Sequence, residues 1–238
     1  MNRYDTVFLD LDGTVTDSAP GILASVRYAL GKYGARENSD AELNFFIGPP
    51  LVDSFEKLLG CSHEDALQCL AWYREFYSGQ IREPASSGSH DSKRTTARIS
   101  HLPGMLMNSV YPGIPELLGR LRAAGVKIAL ATAKPEVYAR RILEHFDLAK
   151  YFDFIHGATL EESRNKKHQV IAWALEHSGD VGRVVMVGDR ENDITGAKVN
   201  NLPSIGVLWG YGSEAELREA GADRICGKAE ELFFLLTL

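Results

Sequence analysis

The feature that most restricts this chain is a series of short, continuous apolar runs separated by helix-patterned segments. "TVFLDL" opens the series. "VKIALAT" (Val126–Thr132), "RVVMVGD" (Arg183–Asp189) and "SIGVLWG" (Ser204–Gly210) follow, with a weaker fifth run in "ADRICG". Strands that are apolar at consecutive positions are buried on both faces, as in a parallel sheet. Between the runs, apolar periodicity predicts helices over Ile114–Ala124, Pro135–Phe146, Lys166–Glu176 and Glu191–Val199. Such alternation predicts an α/β fold, a doubly wound parallel sheet with helices on both faces. In these sheets ligands bind outside the carboxyl ends of the strands.

The segment from Ala19 to about residue 80 breaks the alternation, because its patterns are helical throughout: "PGILASVRYALGKYG", "GPPLVDSFEKLLG", "HEDALQCLAWYREFY". It reads as a helical domain, 19–80, inserted into a core made of 1–18 and 109–238. Residues 81–108 read as an inserted flexible loop and return linker. Their polar part, Ile81 to Pro103, has little apolar periodicity to drive packing. The formal net charge of -6 argues against a nucleic-acid polymer as partner, which calls for a basic face. Cys61, Cys69 and Cys226 form neither a zinc pattern nor a disulfide framework, so a cytoplasmic, reducing setting is expected. The start of the chain lacks a signal-peptide pattern. The greasiest run, "LFFLLTL", is far too short to span a bilayer.

The chemistry sits where the strands end. The first run closes on Asp10 and Asp12, the second on Thr132, and the third on Asp189, with Asp193 four residues on. Four carboxylates and a hydroxyl on one rim repel one another unless a cation joins them. A hard divalent ion with oxygen ligands meets that need, and Mg²⁺ favours a few carboxylates together with water and substrate phosphate. Lys167 lies one turn before the apolar positions Val170 and Ile171, so it leans over the buried face and can hold an anion, whereas Lys166 turns to solvent. Lys134 and Arg190 read first as surface charges, with substrate contact as the alternative.

Together, "DLDGTVTDS", "LATAKP", Lys167 and "VGDRENDITGA" resemble the four motifs of the haloacid dehalogenase (HAD) superfamily. The wording is similar to its branch of phosphoglycolate phosphatases and bacterial 5'-nucleotidase-like phosphatases. The resemblance implies a Rossmann-like core with an inserted helical cap, and a phosphatase acting on a small phosphate ester. It implies Asp10 as nucleophile and Asp12 as acid and base. Mg²⁺ would sit on Asp10, Asp189 and the Asp12 carbonyl, with Asp193 as ligand or support. Lys167, Thr132 and the amides of Asp12, Gly13 and Ala133 would hold the phosphate. In similar proteins the cap stretch lies over the site, which makes Phe45, Pro49, Pro50 and Leu51 specificity candidates. A phosphosugar mutase uses the same core residues. A phospho-accepting signalling module combines similar groups but is shorter and has no inserted domain.

Overall fold

The computed structural model describes residues 3–80, 102–161 and 163–238. In chain order, β1 (Thr6–Leu9) passes through a tight turn to β2 (Thr16–Asp17). Four helices follow: α1 (Ala19–Tyr33), α2 (Asp40–Leu43), α3 (Leu51–Leu59) and α4 (His63–Ser78). The chain re-emerges at β3 (Ser109–Val110). It then alternates through α5 (Ile114–Ala123), β4 (Lys127–Pro135), α6 (Glu136–His145), β5 (Phe154–Ala158) and α7 (Lys167–His177). β6 (Val184–Gly188), α8 (Glu191–Val199), β7 (Ser204–Val207), α9 (Glu214–Ala220), β8 (Arg224–Cys226) and α10 (Ala229–Thr237) complete it.

The main sheet has the order β5-β4-β1-β6-β7-β8, and every pairing in it is parallel. The order reverses around β1, where the strand ends leave a crevice. Side chains alternate across the sheet as the pleat requires. Val7, Leu9, Ile128 and Leu130 pack towards Leu118 of α5, Ile142 of α6 and Leu236 of α10. Phe8, Ala129 and Ala131 pack the other way, onto Val170 and Ile171 of α7 and Ala197 of α8. Phe8 is fully buried, and removing such a side chain from water is worth about 1.5–3 kcal/mol. Both faces are thus covered by helices, as the continuous apolar runs require.

The sequence reading found five strands and the sheet has six: β5 pairs along β4 at one edge. "FIHGA" carries a histidine and a glycine, so it shows no continuous apolar run. The helices α5 to α8 fall within a residue or so of their predicted bounds. In the 19–80 segment, α1 packs on α4, as does α3. Ser62 caps α4 by accepting the Asp65 amide hydrogen, and Gly79 ends it in the left-handed region. Of the predicted polar loop, 81–101 lie outside the described residues. β2 and β3, the chain's way into and out of the helical block, pair with each other as an antiparallel ribbon.

Candidate active site

β1 ends at Leu9, and the chain bends at once. Thr14, Val15 and Thr16 all donate their amides to the Leu11 carbonyl, and Gly13 donates to Thr16. The bend separates Asp10 from Asp12, which an unbroken strand would have left on one face. Each acid acquires its own lysine. Lys167, from the first turn of α7, places Nζ 2.6 Å from Asp10 Oδ1 and 2.7 Å from Asp193 Oδ1. Lys134 places Nζ 3.0 Å from Asp12 Oδ2. Lys167 Nζ also donates to the Ala131 carbonyl at 3.1 Å.

Asp189 follows β6, and Asp193 lies in the first turn of α8. Asp193 Oδ2 accepts the Arg190 amide hydrogen at 3.1 Å. Asp189 Oδ2 accepts that of Tyr211 at 2.8 Å, and Oδ1 faces the Thr14 hydroxyl at 3.4 Å. Asp10, Asp189 and Asp193 are all buried, and each offers an oxygen within 4.8 Å of the others. The turn is packed tightly around them. Gly13 has φ +87, and a Cβ on it would lie 2.2 Å from Asp189 Oδ2.

The charges do not balance. Burial, then Asp193 and Asp10, push Asp189 well above the ordinary aspartate range. Burial raises Asp193 to about 6, although Lys167 opposes it. Burial would lower Lys167, yet Asp10 and Asp193 outweigh it and hold the ammonium above its usual value. Asp10 Oδ1 and Asp193 Oδ1 share the one Lys167 ammonium and have no other partner among the described residues. Buried, oxygen-only, negative beyond what one lysine neutralises, the cluster fits a hard divalent cation.

Above it lies a cleft whose empty space, open mouth included, is about 930 Å³. Asp10, Asp12, Thr132, Ala133, Lys167 and Asp193 line its floor, and Pro49, Pro50 and Leu51 its roof. Thr132 is buried, its hydroxyl oxygen accepting the Lys134 amide hydrogen at 3.2 Å. Several expectations need correction. Phe45 does not line the cleft; its neighbour Phe46 does, because the 3₁₀ turn Asn44–Phe46 presents the second ring. The Gly13 amide is committed to the Thr16 carbonyl at 2.8 Å, so it is not a free phosphate donor. Lys134 is no surface charge: it is 8% exposed. Arg190 bridges the two parts of the chain, donating to the Ile47 carbonyl at 2.6 Å and to Glu216 at 2.8 Å.

Sequence reasoning missed the aromatic wall of Tyr73, Tyr77 and Tyr138. The two α4 tyrosines are four apart, a spacing that signalled only helix packing. It also missed Tyr211. The hydroxyl of that residue accepts the amide hydrogens of Ser18 and Ala19 at 2.8 and 2.9 Å and donates to Asp17 at 2.8 Å.

The sequence model of the haloacid dehalogenase-like hydrolases matches residues 7–207. A 5'-nucleotidase of Pseudomonas aeruginosa is 36% identical over 225 residues, covering 94% of this chain and 91% of that protein. Tyrosine-protein kinase PtkA of Mycobacterium tuberculosis is 39% identical over 208 residues, 87% of this chain but only 62% of the relative. The crystal structure of a predicted phosphatase from Clostridium acetobutylicum superposes with a TM-score of 0.83 at 40% identity, covering 98% of this chain and 97% of that one.

Proposed function

The chain belongs to the haloacid dehalogenase-like hydrolase family and is a phosphatase, and we propose that it is a Mg²⁺-dependent phosphomonoesterase working through an aspartyl-phosphate. The observation that carries this is the buried set Asp10, Lys167, Asp193 and Asp189, of which the first three line the cleft. Asp10 attacks phosphorus as the bond to the leaving oxygen breaks, and Asp12 gives that oxygen its proton. Asp12 then takes a proton from water, which attacks the phosphorus and frees Asp10. Lys167 and Thr132 hold the equatorial oxygens, where charge spreads in the transition state. Asp10, Asp189 and the Asp12 carbonyl would hold Mg²⁺, with Asp193 as a further ligand or as the partner that aims Lys167. The ion supplies positive charge that lets a phosphate dianion approach a carboxylate.

In this reading α1–α4 form the cap, and Pro49, Pro50 and Leu51 screen the site from water. The substrate is a small soluble ester of the phosphoglycolate or nucleoside-monophosphate type. No described helix is long and apolar enough to cross a membrane. The three cysteines are free thiols, which agrees with the cytosolic placement proposed here. The test is phosphate release from a panel of phosphomonoesters with Mg²⁺, with and without EDTA, and with Asp10→Asn as baseline. The panel includes phosphoglycolate, nucleoside monophosphates and O-phosphotyrosine. Metal-independent release, or release by Asp10→Asn at the native rate, refutes the mechanism.

A further inference from the structure

Lys134 has no role in the chemistry described so far, yet the fold goes out of its way to bury it. β4 loses its regular register against β5 between Thr132 and Pro135. Such an irregularity re-aims the side chains around it. Gly157 on β5 makes the room, since a Cβ there would lie 2.6 Å from the Lys134 carbonyl oxygen. The side chain turns into the cleft and reaches Asp12 Oδ2. The other oxygen, Asp12 Oδ1, is buried without a hydrogen bond, and is the one left to meet a reacting group.

The lysine ammonium is itself held. It donates to the Tyr77 hydroxyl and lies 4.7 Å from the centre of that ring. Tyr77 is in the last turn of α4, stacked on Tyr73 at 5.2 Å and edge-on to Tyr138 of α6 at 5.4 Å. Burial pushes the Tyr77 phenol well above its usual value, so the hydroxyl stays neutral and serves as acceptor. A chain of contacts thus runs from the helical block to the core: Tyr77, Lys134, Asp12.

We infer that Lys134 is a positioning residue for Asp12, and that Tyr77 makes this positioning depend on the helical block being seated against the core. The inference rests on the reading of Asp12 as the acid of a phosphatase. A carboxyl group on a free rotamer samples several directions, whereas one charge-assisted contact from a buried ammonium selects a single one. With Oδ2 held by Lys134, Oδ1 is the oxygen without a partner among the described residues, and in this reading it is the one that serves the leaving group. Lifting α4 removes the hydroxyl that fixes the ammonium, so the acid is aimed only when the block covers the site.

The experiment compares kcat/KM on an alkyl phosphate, glycerol 2-phosphate, with that on p-nitrophenyl phosphate, in the full chain with Mg²⁺. Aim of the acid matters for the alkyl leaving group far more than for the aryl one. Lys134→Met is expected to lower the alkyl-to-aryl ratio at least about tenfold. Lys134→Arg should recover most of it, because the positive charge is kept. Tyr77→Phe keeps the ring and loses the hydroxyl, and should lower the ratio by roughly three- to tenfold. An unchanged ratio in Lys134→Met overturns the inference however far both rates fall, because a phosphate contact or a purely structural role affects both esters alike. A native ratio in Tyr77→Phe overturns the dependence on the block. If circular dichroism shows Lys134→Met unfolded, Lys134→Gln, which stays polar but loses the charge that holds Asp12, takes its place, and a native ratio there overturns the inference. If the native protein hydrolyses neither ester above the Asp10→Asn baseline, it is the proposed phosphomonoesterase mechanism that fails.

Discussion

Gly13→Ala tests how much of the active site depends on one missing methyl group. Two costs are separable. The first is backbone strain: Gly13 has φ +87, and an L-residue there costs about 1–2 kcal/mol. For a chain of this size 1 kcal/mol moves Tm by about 2–4 °C, so strain alone lowers it by roughly 2–8 °C. The second is contact. The new Cβ would lie 2.2 Å from Asp189 Oδ2, where ordinary contact begins at 3.4 Å. The carboxylate must therefore retreat by roughly 1 Å, but its retreat is blocked. Gly210 packs so closely that its own Cβ would lie 2.4 Å from the Asp189 Cβ, and the Tyr211 amide holds Oδ2 at 2.8 Å. A misplacement of about 1 Å near reacting groups costs about 10²-fold. Gly34→Ala is the control, because Gly34 has φ +82 and nothing within 4 Å of its Cβ. Both variants should lose Tm; only Gly13→Ala should lose about 10²-fold in kcat/KM and require more Mg²⁺ for half-activation. The assay is p-nitrophenyl phosphate turnover across a Mg²⁺ titration, with melting followed by circular dichroism. If Gly13→Ala stays within about threefold of Gly34→Ala in kcat/KM, the site tolerates the displacement and the reasoning is wrong.

Three further outcomes are expected. Asp189→Asn should weaken Mg²⁺ activation more than Asp193→Asn, because Asp193 is ion-paired with Lys167 whereas Asp189 meets the neutral Tyr211 amide and Thr14 hydroxyl; titrations showing the reverse order would exchange their roles. Mg²⁺ at 100 times its dissociation constant should stabilise the fold by about 2.7 kcal/mol, or roughly 5–10 °C in Tm, and a melting curve indifferent to Mg²⁺ and EDTA would remove the ion from the cluster. Burial depresses His156, whose Nε2 lies 2.9 Å from the Ser178 hydroxyl, so its contribution to stability is complete above pH 6.5 and is lost as pH falls through the lower folded value. Urea midpoints should therefore drop between pH 7.5 and 5.5, and less steeply in His156→Gln; identical slopes would show that the histidine is not the source.

What was legible in the sequence is what depends on strand ends. Asp10, Thr132 and Asp189 each close an apolar run, and a parallel sheet has only one edge where such ends meet. Lys167 was legible because helix periodicity fixes its face relative to Val170 and Ile171. What was not legible lies where a period breaks. The irregular register around Thr132–Pro135 turns Lys134 inward, against any count that assumes strict alternation. The 3₁₀ turn at Asn44–Phe46 swaps the roles of two adjacent phenylalanines. β5 escaped notice because His156 and Gly157 interrupt its apolar character. Tyr211 and Tyr77 act through hydroxyls whose partners are 194 and 57 positions away along the chain, a distance that local patterns do not reach.

The ribbon formed by β2 and β3 has a mechanical consequence. Its two strands are the only described passages between the helical block and the sheet, and they are hydrogen-bonded to each other. Two linkers that are bonded side by side cannot slide independently; they flex together, about one line. The Tyr211 hydroxyl clamps the start of α1 just beyond that line, which fixes where the line runs. A swing about that line is therefore the motion the paired strands oppose least. Such a swing would carry Tyr77 and Pro49–Leu51 away from the core together, so that both walls of the cleft would open in one step.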